Sequence, residues 1–135
     1  MRAMRLLGAA IALLAAAPTA QAQVCQQTLS EPTTLLERMR DDPRYTLTTV
    51  TDDYLAYMDE SQMNVWTFTR PGHVPHPAIV CREMRIDDKG DAYLTMYVHC
   101  SGTTADCEAL VAEFNALTEE IKRSLAAAGY GIAPD

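Results

Sequence analysis

The chain has 135 residues, four cysteines and a formal net charge of −7, with 11 basic residues against 18 acids. That length is enough for one domain with a real core. The acidic balance, with no Lys/Arg patch, excludes nucleic acid and anionic lipid surfaces as expected partners. A Gly-rich phosphate loop, an internal repeat and a low-complexity tract are also absent from the sequence.

Residues 1–22 read as a cleavable secretory signal peptide. Arg2 and Arg5 make a basic start, and Leu6 to Ala17 is an uncharged run rich in Leu, Ile and Ala. Pro18 breaks the run, and Ala20-Gln21-Ala22 offers small residues where a signal peptidase needs them. A membrane anchor needs about 20 apolar residues, and this run is shorter. Gln23 and Val24 fit badly before a lipid-accepting cysteine, so Cys25 is not expected to be lipidated. The mature chain is expected to start at Gln23, with no membrane attachment after cleavage and a periplasmic or secreted location. Removing the two signal arginines leaves nine basic residues against 18 acids, a net charge of −9. Residues 23–135 are expected to form a single disulfide-bonded domain.

Ser30-Glu31-Pro32 reads as a helix start, with Ser30 as cap and proline tolerated in the first turn. Leu35, Leu36 and Met39 supply an apolar stripe, and Asp42-Pro43 ends a helix of about residues 32–41. Residues 45–51 are dense in β-branched side chains and predict a strand, with a second over 54–58. A polar turn over 59–64 leads to a third strand, 65–69. Trp66 and Phe68 share one of its faces, and Val65, Thr67 and Thr69 the other. Trp66 and Phe68 are expected in the core rather than as a ligand platform.

Residues 78–87 and 91–100 predict a hairpin around Asp87-Asp88-Lys89-Gly90-Asp91, with Gly90 left-handed in a three-residue loop. That loop pairs Ile86 with Ala92, Met84 with Leu94 and Val80 with Val98. Arg82 then falls on the apolar face opposite Met96, to snorkel out or pair with an acid. A threonine of the Ser101–Thr104 segment caps a long helix. Its stripe is Cys107, Leu110, Val111, Phe114, Leu117, Ile121 and Leu125, Glu119 and Arg123 can pair, and Gly129 ends it. Residues 130–135 read as a tail. The expected fold is α+β: an antiparallel sheet of about 4–5 strands with N- and C-terminal helices, in two layers.

Four cysteines in an exported chain favour two disulfides. In the hairpin register Cys81 and Cys100 point to opposite faces, which excludes their pairing. Cys107 opens the stripe of the helix expected on the Cys100 face. Cys100–Cys107 and Cys25–Cys81 remain. A structural role is expected for both, since no C-x-x-C redox motif occurs.

The most distinctive stretch runs from Trp66 to Pro77 and contains His73, Val74-Pro75 and His76-Pro77. The prolines favour extended geometry, in which residues three apart lie about 9 Å from each other. His73 and His76 therefore converge poorly on a metal, and no metal and no cofactor are expected. The loop reads better as a stiff, pre-ordered contact surface. On the back face of the hairpin, Tyr93 and Tyr97, with Thr95 and His99, offer a second binding surface unless the Cys25 arm and the first helix cover it. No nucleophile with an adjacent base, no G-x-S-x-G and no H-E-x-x-H occur, so no catalytic residue is expected. The dispersed methionines read as packing.

Three features together, Trp66-x-Phe68-Thr69, His73-x-x-His76-Pro77, and a strand ending in Cys100 before a helix bearing Cys107, resemble small exported proteobacterial proteins of uncharacterised function. The resemblance spans roughly residues 54–125 and implies the organisation above but no activity. The expected function is a non-catalytic periplasmic binding or interaction domain, with an envelope protein or a small ligand as partner. The alternatives are a periplasmic metal-binding protein using His73 and His76, and a small hydrolase.

Overall fold

The computed structural model describes Cys25 and residues 31–134. The signal segment expected over 1–22 lies outside the described residues, as does Ser30, the expected helix cap. Helix α1 spans Pro32–Asp41, with Glu31 at its N-cap making no side-chain cap bond. Six strands follow: β1 (Thr46–Val50), β2 (Tyr54–Asp59), β3 (Asn64–Thr69), β4 (Ala78–Ile86), β5 (Asp91–Cys100) and, after helix α2 (Thr104–Ala127), β6 (Gly131–Ile132). Neighbours in sequence are neighbours in the sheet, in the order β1-β2-β3-β4-β5-β6. Among the described residues, no helix is long and apolar enough to cross a membrane.

The β4–β5 hairpin has the register that its turn chemistry and its alternation both demanded. Ile86 faces Ala92, Met84 faces Leu94 and Val80 faces Val98. Gly90 has φ +86°, and its N–H donates to the Asp87 carbonyl at 3.1 Å. This is the left-handed position that closes a three-residue loop without a Cβ penalty. The Thr103 hydroxyl caps α2, accepting from the Asp106 N–H at 3.1 Å.

Three expectations are corrected. The sheet is mixed and has six strands, because residues 131–132 are not a tail but pair in parallel with Asp91 and Ala92. A strand that follows a long helix returns beside the strand before it running the same way. The C-terminal helix is therefore not the last element. The two helices also do not share a face. Trp66, Phe68, Ile79 and Cys81 pack with Cys25, Leu35 and Met39 on one side of the sheet. Ala78 and Val80 pack with Leu110 and Phe114 on the other. The sheet thus lies between α1 and α2 in three layers, and the back face of the hairpin is the face on which α1 and Cys25 pack.

Smaller corrections concern α2. Its buried seam is Leu110, Phe114 and Thr118, whereas Leu117 of the expected stripe is 43% exposed. Glu119 pairs with Lys122 at 3.1 Å rather than with Arg123. Arg82 neither reaches water fully nor meets a carboxylate among the described residues. Its Nε donates to Thr118 Oγ1 at 3.0 Å and its Nη2 to the Phe114 carbonyl at 3.4 Å. Burial pushes its pKa down from the ordinary guanidinium value.

Both disulfides join the expected partners. The Cα atoms of Cys25 and Cys81 lie 5.7 Å apart, and those of Cys100 and Cys107 lie 6.0 Å apart. Opposite parity in β4 and β5 puts each bridge on its own face, one beneath α1 and one at the start of α2. Cys25 is held a second time, by its N–H donating to the buried Glu83 carboxylate at 2.6 Å. A charge-assisted bond of that kind is stronger than a neutral one.

Candidate functional site

The β3–β4 connection, residues 70–77, crosses one end of the sheet and reaches both faces. It begins with a turn that its sequence encodes. Arg70-Pro71-Gly72-His73 has proline second and glycine third, Gly72 has φ +97°, and the His73 N–H donates to the Arg70 carbonyl at 3.1 Å. That is the pattern of a type II turn. The extended run expected over 73–77 is replaced by a bent segment in which the Val74–Pro75 and His76–Pro77 bonds are both cis. The loop is fastened on both sides. The Arg70 N–H donates to the Asp53 carbonyl at 2.8 Å, and the Ser101 N–H to the Pro77 carbonyl at 3.1 Å. Pro75 is buried against Gly102, where an added Cβ would lie 2.8 Å from the Pro75 Cβ. Only glycine permits that approach.

His73 and His76 fall into separate networks. His73 joins the α2 face. Its Nδ1 lies 3.4 Å from Asp53 Oδ1, and its Nε2 lies 3.1 Å from the Tyr54 hydroxyl. That hydroxyl lies 3.0 Å from each oxygen of Glu113 on α2. The Tyr54 ring stands edge-on to Phe114 with centroids 5.4 Å apart. A phenol has one proton. When Tyr54 donates it to the Glu113 carboxylate, its oxygen accepts from His73 Nε2–H. Three segments distant in sequence are thereby joined: the β1–β2 turn, the proline loop and α2.

Burial, then the Glu113 carboxylate beside it, holds the Tyr54 hydroxyl well above the ordinary phenol value. A group whose pKa is raised on folding stabilises the fold fully below its unfolded value of about 10. The contribution is lost as pH rises further, because the unfolded chain releases the proton first. The melting temperature of the wild type should therefore fall more steeply above about pH 10 than that of Tyr54→Phe. Melting curves followed by circular dichroism across that range would show it, and parallel slopes would refute it.

His76 belongs to the α1 face. Its Nδ1 lies 3.0 Å from Thr69 Oγ1, which accepts the Ala78 N–H at 2.9 Å. The Thr69 hydroxyl is buried and committed to this clip. Beside it lies a cavity of about 330 Å³ between α1 and the loop. Phe68, Leu55, Leu36 and Pro71 give it apolar walls, and Arg40, Arg70 and His76 line it with polar groups. Arg70 is positioned by its Nη1, which donates to the Thr51 carbonyl at 2.6 Å.

A larger and more open trough of about 890 Å³ lies on the opposite face, between α2 and strands β1 to β3. Arg82, Glu113, Glu120 and Arg123 all line it, so its charges are mixed. Beside it β1 forms the sheet's edge, and all five of its residues are exposed.

The tyrosine surface is not brought to the loop. Tyr93 and Tyr97 pair with Arg85 and Cys81, toward the hairpin-turn end of the sheet. Tyr97 packs against the core cluster that contains Cys25, and burial raises its pKa. Tyr93 is 40% exposed and donates to Asp87 Oδ2 at 3.3 Å. Nor do His73 and His76 share a ligand position, since their rings serve opposite faces. Among the described residues, no group of three or more His, Cys, Asp or Glu side chains is placed to hold a metal ion.

Sequence reasoning singled out His73 and His76 and passed over Tyr54, Glu113, Arg40 and Arg70. Arg70 and the turn it opens had a local signal in Arg-Pro-Gly. Tyr54, Glu113 and Arg40 had none, because each meets the loop across a long stretch of chain. The sequence matches no protein-family model, no curated protein and no solved structure.

Proposed function

We propose that this is a non-catalytic binding domain of the periplasm or the secreted space, and that the β3–β4 loop and α1 form its contact site for a small ligand. The observation that carries the reading is the cavity beside His76. It has an apolar floor, it is lined by a few convergent polar groups, and a loop tied at both ends builds one wall. A largely pre-formed concave site of that composition is what small-molecule binding requires. Holding the loop before the ligand arrives lowers the ordering cost of binding. The two disulfides and the basic, apolar start of the chain support the oxidising compartment.

The test is a fragment screen read by amide shifts in nitrogen–proton correlation spectra. Fragments should move the resonances of residues 70–77 and of the C-terminal half of α1. Shifts confined to the trough and the α2 face, or no saturable shifts at all, would remove this reading.

A further inference from the structure

Resting on that reading, we infer that the ligand of the α1 cavity is a small organic carboxylate with a compact apolar body. The chain has 18 acids, yet none of those among the described residues lines this cavity. Its charged lining is Arg40 and Arg70, and its other ionisable group is His76. Among the described residues no carboxylate pairs with Arg40 or Arg70, and 17 of the 18 acids are described. In so acidic a protein, two arginines left without carboxylate partners at one pocket form a site built against the average charge of the surface.

The hydrogen-bonding chemistry points the same way. The Thr69 oxygen accepts from Ala78 N–H, and its own proton has two choices. His76 Nδ1 lies at 3.0 Å and the Ala78 carbonyl at 3.4 Å. When the Thr69 proton goes to Nδ1, the ring's remaining donor is Nε2–H. Arginine is donor-only, and Arg70 spends only one Nη on Thr51. The polar tips of Arg40, Arg70 and His76 are then all donors. The other polar side chains of the lining, Thr33 and Thr69, carry hydroxyls that donate or accept, and so donor-rich a rim suits a carboxylate, which is acceptor-only and can take two parallel bonds from one guanidinium.

Size and walls define the rest of the ligand. The volume of about 330 Å³ is at the small end for ligand pockets. At about 30 Å³ per water-sized group it holds on the order of ten heavy atoms. Phe68, only 1% exposed, and the side chains of Leu36 and Leu55 offer that body a ring face and aliphatic contacts.

Three probes that share one apolar body separate charge from shape: phenylacetate, phenylacetamide and 2-phenylethylammonium. Each is titrated into the protein with both disulfides intact, and amide shifts of residues 70–77 and α1 are followed. Phenylacetate should bind about tenfold or more tighter than the amide, with the ammonium weakest, a factor that corresponds to about 1.4 kcal/mol. Arg40→Gln should weaken phenylacetate about tenfold and leave the amide unchanged. Arg40 is exposed and supports no described hydrogen bond, so the melting temperature of that variant should equal the wild type's. Equal or better binding of the amide or the ammonium at the same residues would overturn the carboxylate inference and leave the binding reading standing. Failure of all three to move those resonances would overturn both.

Discussion

Removing the Cys25–Cys81 bridge should cost about twice the stability lost with the Cys100–Cys107 bridge. The two close loops of very different length, with sequence separations of 56 and 7. A cross-link acts largely by restricting the unfolded chain, and the restriction grows with the logarithm of the loop. Applied to these loops, the chain-entropy relation gives about 4 kcal/mol for the first and about 2 kcal/mol for the second. The comparison is best made with the double variants Cys25→Ser/Cys81→Ser and Cys100→Ser/Cys107→Ser, which leave no unpaired thiol. Urea denaturation followed by far-UV circular dichroism gives both values. The longer bridge also seats Cys25 in a core with Trp66, Ile79 and Tyr97, so its loss should loosen that layer as well. Equal losses, or the reverse order, would show that residue 25 is held by its packing and by Glu83 rather than by the bridge.

Trp66→Ala is expected to have an effect of similar size, for a different reason. Trp66 is fully buried in the α1-side core. Truncating a large aromatic there loses its transfer free energy and leaves a cavity, together about 3–5 kcal/mol. Against a total stability of about 5–15 kcal/mol, that lowers the melting temperature by more than about 10 °C. The indole also has a polar task. Its Nε1–H donates to Asn64 Oδ1 at 2.9 Å, and the Asn64 amide nitrogen has no partner among the described residues. Trp66→Phe keeps most of the ring but strips the buried Asn64 of that bond, at a cost of about 2 kcal/mol. The order wild type, Phe, Ala should hold in denaturation monitored by circular dichroism. Fluorescence cannot serve, because Trp66 is the chain's single tryptophan.

How much of this could be read from the chain differs element by element. The hairpin register was legible because two independent local signals agreed. Gly90 set the loop length, and the alternation of residues 92–100 set the inward face, so a slip of one residue would have turned every side chain over. The disulfide pairing followed from that register through parity alone. The loop over 70–77 was legible as punctuation, through its prolines and glycine, but its course was not. Extended geometry was the local preference, and it was displaced once the loop was pinned by Asp53 on one side and Ser101 on the other.

The site lies further from local reading. Nothing near Arg40 marks it as the neighbour of Arg70, nor Glu113 as the acceptor of the Tyr54 proton. Those pairs are 30 and 59 residues apart along the chain. They exist because α1 and α2 lie against opposite faces at the end of the sheet that the loop crosses.

By itself, the sequence determined the positions of α1, α2 and five strands, the register of β4 on β5 and the cysteine partners. Each of these rests on a short-range rule: periodicity, turn chemistry, capping or parity. The tertiary structure alone decided that the helices take opposite faces, that the chain's end returns as a sixth, parallel strand, and that His73 and His76 part company. It also decided that two arginines of an acidic protein line one cavity beside Phe68. Those outcomes depend on how apolar faces distant in sequence are buried against one another, and no local pattern carries that information.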